Sequence, residues 1–122
     1  MINEIADSGN SVIVGRGAHI ILKDYEDVLR IGLVSEIEDR IKIISERENC
    51  DSTEAESRLN NRDKARQIYF ERYFNLSDPD DIRHYDFMIN TSKITEEYAT
   101  EMIVDAATSV GSKKFYRLSK TA

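Results

Sequence analysis

Ser11-Val12-Ile13-Val14-Gly15-Arg16-Gly17-Ala18 decides how the rest of this chain is read. Three consecutive β-branched residues favour a short strand, and the two glycines end it while leaving an arginine at its carboxyl end. In open α/β sheets ligands sit outside the carboxyl ends of the strands, so Arg16 is a candidate for binding an anion. The plainer alternative is a glycine-rich turn carrying a solvated arginine.

Upstream, Ile2 and Ile5 share one side of a helical pattern over residues 1–8, and Gly9-Asn10 is a natural stop. That helix starts abruptly, which predicts that sequence stood ahead of it in a longer form. Downstream, residues 18–22 read as one apolar turn of helix and residues 23–27 as a polar loop. Val28 to Val34 forms the second expected strand, apolar except at Arg30, as suits a strand covered on both faces. Ser35 with Glu38 has the form of a capping box, and Ile37, Ile41 and Ile44 recur at helical spacing. The opposite face of that helix carries Asp39, Arg40, Lys42, Glu46 and Arg47.

Asp51 with Glu54 three residues later starts a further helix, carried to about Asn75. Its middle is strongly polar, from Arg58 to Arg66, and its end holds Tyr69, Phe70, Tyr73 and Phe74, a stripe that reads as core or partner interface. Asp78-Pro79-Asp80-Asp81 marks a turn, residues 85–90 a third strand, and residues 94–110 a last helix closed by Gly111. Strands alternating with helices predict an α/β fold, a three-layer parallel sheet flanked by helices, as one domain over residues 1–112. Residues 113–122 form a weakly basic tail.

Bulk properties narrow the function. With 122 residues, 40% hydrophobic and 33% charged, the chain is a single soluble domain with a modest core. A net charge of -6 and a pI near 4.9 argue against general nucleic-acid binding, although a few clustered arginines suffice for one small phosphorylated ligand. No apolar run is long enough for a bilayer and no leader pattern opens the chain, so no membrane partner and a cytoplasmic location are expected. The single cysteine, Cys50, sits in polar surroundings and reads as an incidental thiol. His19 and His84 lack carboxylate or cysteine neighbours at ligand spacing, so no metal site is expected and each reads as a packing or surface residue.

Several stretches together resemble the cytidylate kinase-like family of P-loop nucleoside monophosphate kinases. They are residues 9–18, Glu38-Asp39-Arg40-Ile41 through Glu46-Arg47-Glu48, Asp63-Lys64-Ala65-Arg66, and Tyr85-Asp86 through Ile89-Asn90-Thr91-Ser92-Lys93. The resemblance runs from about Ile2 to Ala107 and implies a partial P-loop NTPase fold. It implies transfer of a phosphoryl group from ATP to CMP or a similar monophosphate. Gly15-Arg16 looks like the pair whose arginine contacts the acceptor monophosphate. Arg62, Asp63 and Arg66 look like part of the mobile lid over residues 50–75, with Arg62 and Arg66 catalytic and Asp63 on the substrate. Arg40 and Arg47 are possible phosphate contacts near the lid base. Arginine's planar fork suits a reaction in which the protein mainly positions phosphates and neutralises their charge. Arg62 and Arg66, four apart, are expected to share a face and grip one phosphate group. Asp63 is equally well placed to hold Arg66 as an i,i+3 partner. A solvated, salt-bridged helix is the alternative for the whole set.

The departure from the family pattern is as informative. No Gly-x-x-x-x-Gly-Lys-Ser/Thr occurs; the nearest string, Gly111-Ser112-Lys113-Lys114, has the wrong spacing and follows a helix. ATP and magnesium are therefore expected only if a phosphate-loop partner is supplied, and the chain alone is expected to be inactive. The resemblance also implies that the family's first strand lies between the strand ending at Gly15 and the strand ending at Val34. Each buried donor or acceptor left unpaired at that gap would cost about 1 to 3 kcal/mol. Either the two strands close up, or a second copy or an amino-terminal partner completes the sheet. A non-catalytic nucleotide-binding, regulatory or assembly module is the alternative function.

Overall fold

The computed structural model describes residues 1–110, so the expected tail, the Gly111 stop and the Gly111–Lys114 string lie outside the described residues. In chain order the elements are α1 (Ile2–Ser8), α2 (Ala18–Ile21), β1 (Ile31–Val34), α3 (Ile37–Glu48), α4 (Ser52–Phe74), a short 3-10 turn (Ile82–His84), β2 (Phe87–Asn90) and α5 (Glu96–Val110). No helix among the described residues is long and apolar enough to cross a membrane.

The longest element obeys its local signals. The Asp51 carboxylate accepts the Glu54 N–H at 2.8 Å, so α4 begins where its cap dictates. It runs unbroken for 23 residues and stops at Asn75, a left-handed residue at φ 51° whose N–H donates to the Glu71 carbonyl at 3.2 Å. Leu76 N–H reaches back to the Phe70 carbonyl at 3.2 Å, so the last carbonyls of the helix are satisfied by a left-handed cap built on asparagine. α3 ends the same way at Asn49, φ 52°, and the two helices form a hairpin across Asn49-Cys50-Asp51. The expected Ser35 box is not formed. Glu36 occupies the cap position of α3 without a side-chain bond, and its N–H is taken instead by the Ser92 hydroxyl at 2.8 Å.

The sheet differs more from expectation. Among the described residues it has two strands, β1 and β2, paired in parallel with Ile31 opposite Phe87 and Val34 opposite Asn90. Ser11 to Val14 makes no strand, and Val12 and Val14 are 91% and 85% exposed. β-branched residues favour a strand only where a partner takes up their backbone groups, and no strand lies beside them among the described residues. Among the described residues the arrangement is therefore mixed α/β around a parallel pair of strands. That pair is fastened at both ends. Before the ladder, the Asp86 carboxylate accepts the Arg30 N–H at 2.6 Å; beyond it, Thr91 donates to the Val34 carbonyl through its N–H at 2.8 Å and its hydroxyl at 3.1 Å.

Among the described residues the core is small: Ala18, Leu22, Ala55, Leu59, Phe70, Ile89 and Ala99 are buried, and Ile89 is the largest side chain that is fully enclosed. With so little buried area, helix caps carry a large share of local stability. Asp51→Ala should lower the unfolding free energy in urea by about 1 kcal/mol, whereas Asp51→Asn should stay within a few tenths.

Candidate functional site

Gly15, Arg16 and Gly17 all adopt left-handed backbone, with φ of 71°, 62° and 67°. A left-handed arginine is strained by roughly 1 kcal/mol or more, so the turn needs outside support. Ala18 N–H closes it by donating to the Gly15 carbonyl at 3.2 Å. The Tyr69 hydroxyl lies 3.5 Å from the Arg16 carbonyl oxygen, and Gly17 is buried against α4. A Cβ placed on Gly17 would meet two ring carbons of Phe74 at 2.5 and 2.6 Å. The Arg16 side chain is exposed and makes no ion pair among the described residues.

The other arginines are arranged differently. Arg62 donates two bonds of 2.7 Å to Glu48, and Arg58 adds one of 2.9 Å to the same carboxylate. Those hydrogen bonds, Arg62's first, pull the Glu48 carboxyl down to about 2. Arg40 forks onto Asp63 at 2.6 and 3.0 Å. Hydrogen bonding to Asp63 strengthens the proton affinity of Arg40. Arg66 pairs with Asp80 at 2.8 Å and lies over the Phe70 ring, 5.0 Å from its centroid. Arg47 is exposed on α3 and makes no ion pair among the described residues.

Two expectations are corrected here. Asp63 does not hold Arg66; it crosses to Arg40 on α3, because a planar fork-to-carboxylate match outweighs a mere neighbour on the same helix. Arg62 and Arg66 do not converge on one point, since one is drawn to Glu48 at the end of α3 and the other to Asp80 in the turn before β2. The sequence pattern assigns no site role to Glu48, Arg58 or Asp80. The 54-58-62-66 spacing of charge along α4 was the visible signal for Arg58, but partners 14 residues away in sequence leave no spacing to read.

Of the two ordinary roles expected of His19, surface or packing, the structure shows packing. Its ring stacks on Tyr85 at 4.7 Å between centroids and tilts against Phe70 at 5.6 Å. Its Nε2 is buried without a hydrogen-bond partner among the described residues. Burial lowers its pKa from an ordinary 6.5, helped by Arg66, His84 and Arg30, while the Pro79 carbonyl opposes the shift.

A cleft of about 340 Å³ opens at the carboxyl ends of β1 and β2, lined by Ser35, Asp39, Lys42, Thr91 and Ser92. A larger one, about 790 Å³, lies at the opposite ends of the strands beside Tyr25, Arg30 and Asp86. Only the smaller lies where α/β sheets place their ligands.

The description cytidylate kinase-like family matches residues 1–93. The chain belongs to that family. It is 36% identical over 92 residues to a cytidylate kinase of Methanocaldococcus jannaschii, an alignment covering 74% of this chain and 51% of the relative. It therefore spans about half the length of that curated relative. A crystal structure of an uncharacterized protein from Eubacterium ventriosum superposes with a TM-score of 0.76 at 30% identity, covering 88% of this cytidylate kinase-like chain and 63% of that one.

The His19 geometry sets a pH dependence. The folded chain resists protonating an imidazole that the unfolded chain protonates near 6.5. His19's contribution is therefore complete above that value and is lost as pH falls toward the lowered folded value. Unfolding free energy from urea curves at pH 7.5 and pH 5 should fall more for the wild type than for His19→Phe, which keeps the stacking and cannot titrate. Equal losses would show that His19 does not carry the dependence.

Proposed function

We propose that this chain is the acceptor-phosphate and lid portion of a cytoplasmic nucleoside monophosphate kinase, taking CMP or a similar monophosphate. The observation that carries the reading is Arg16: it is held in a strained left-handed turn, exposed, and without an ion pair among the described residues. Natural chains keep such strain where it serves a site. A guanidinium there presents its fork to a phosphate without first giving up a carboxylate. Arg62 and Arg66 are the proposed lid arginines, with Asp63 and Arg40 setting the spacing of α4 from α3 and Arg47 free to assist.

The donor side does not fit the residues described. The phosphate-loop motif is absent from the sequence, and no three His, Cys, Asp or Glu side chains gather to hold a metal ion among the described residues. ATP and magnesium thus belong, in this proposal, to a polypeptide bearing the phosphate loop. That polypeptide, an amino-terminal partner, would also complete the three-layer P-loop sheet; a second copy of this chain could close the sheet but would bring no phosphate loop. Supporting this, Val12, Val14 and Leu33 are 91%, 85% and 62% exposed, an apolar set unusual for finished surface. The second reading is a non-catalytic nucleotide-binding or assembly module, favoured by one fact: Arg40, Arg58, Arg62 and Arg66 are already paired with Asp63, Glu54, Glu48 and Asp80 in turn.

In calorimetry the chain should bind CMP, and Arg16→Ala should weaken binding about 10- to 100-fold, the worth of a charged hydrogen-bonded contact. A coupled ADP-release assay with ATP and CMP should be flat for the chain alone and active when a phosphate-loop polypeptide is added. Nucleotide binding without turnover under any pairing would favour the module. No heat with millimolar CMP, UMP or AMP would leave only assembly.

A further inference from the structure

The aromatic end of α4 divides into two faces. Phe70 is 4% exposed and Phe74 is half-buried, whereas Tyr73 is 67% exposed. Arg66, Phe70 and Phe74 stand at i, i+4 and i+8, one above another on the inward stripe. Along that stripe the contacts are continuous. The Arg66 guanidinium lies 5.0 Å from the Phe70 centroid, and the Phe70 and Phe74 rings are 5.5 Å apart. Phe74 then meets Gly17 so closely that any β-carbon there would overlap its ring. Tyr69 braces the same ring edge-on at 5.8 Å and places its hydroxyl near the Arg16 carbonyl.

Resting on the reading of Arg16 as the phosphate-binding residue, we infer that Phe74, braced by Tyr69, is its positioning residue. The Phe74 ring holds the left-handed turn against the end of α4, so that Arg16 keeps a fixed place relative to that end of the helix. The physical case is that three successive left-handed residues have no intrinsic reason to persist. Within the turn, one backbone hydrogen bond of 3.2 Å closes it, from Ala18 to Gly15. The ring supplies what the turn lacks, because even a half-buried aromatic removes more area from water than a glycine turn can by itself. Gly17 is then required twice, for its positive φ and for the absence of a side chain where Phe74 sits. Tyr69 adds a long hydrogen bond, so the larger part of the effect belongs to Phe74.

The experiment compares CMP affinity by calorimetry for wild type, Arg16→Ala, Phe74→Ala, Phe74→Leu and the double variant Arg16→Ala/Phe74→Ala. Phe74→Ala should weaken binding about fivefold through misplacement of the guanidinium, and Phe74→Leu, which keeps apolar bulk, should recover to within about twofold. The double variant should bind no more weakly than Arg16→Ala, because the ring acts only through that arginine. Wild-type affinity in Phe74→Ala, or losses that multiply in the double variant, would overturn the inference. If wild type takes up no CMP, the phosphate reading fails, and positioning is decided without ligand by amide hydrogen exchange. Faster exchange of the Ala18 N–H in Phe74→Ala, with the Ile89 N–H unchanged, would uphold the anchoring; unchanged exchange at Ala18 would refute it.

Discussion

Parallel pairing of β1 with β2 is the constraint from which the rest of the molecule follows. Parallel neighbours cannot be joined by a tight turn, so the chain between them must leave the sheet and return from the other end. Here that crossover is residues 35–86, and it contains α3, α4 and the turn before β2. Every arginine proposed for the lid, Arg62 and Arg66 included, is thus on the connection itself. The hairpin is tied beside the strands at its two ends, where Glu36 N–H meets Ser92 and Asp86 meets Arg30, and between those points the end of α4 packs on the Gly17 turn and His19.

What could be read from sequence was what is local. The Asp51 cap, the length of α4, its end at Asn75 and the packing role of His19 all depend on residues within a turn or two of each other or on plain apolar character. What could not be read depended on distant partners. Val12 to Val14 have every intrinsic feature of a strand, yet strand formation is a property of two segments, and only one is among the described residues. Ser35 matched a capping box, but Ser92, from the far side of the crossover, reached the Glu36 N–H instead. Asp63 chose Arg40, 23 residues away, over Arg66 three residues away. Arg16 was visible at once, as an arginine between glycines, although the reason it is held there lies in Phe74, which periodicity alone marks only as apolar.

Family membership and geometry contribute different things to the functional reading. Membership brings the class of chemistry, and it does so for a chain that spans about half of its curated relative. Geometry separates the arginines into those bound to carboxylates and those that are not, a distinction no motif contains. Arg16 and Arg47 fall in the second group among the described residues.

The Glu48 carboxylate, with its pKa near 2, stays ionised at every physiological pH, and Glu54 adds a second carboxylate on Arg58 at 3.1 Å, so two negative charges offset those of Arg58 and Arg62. Paired charges cast a dipolar field that fades within a few ångströms, and on a chain of net charge -6 they do nothing to draw an anion from a distance. Under the proposed function, capture at long range would be left to unpaired cations such as Arg16. The α4 guanidiniums would then act only at contact, through exchange of one oxyanion for another, a test of fit instead of a lure.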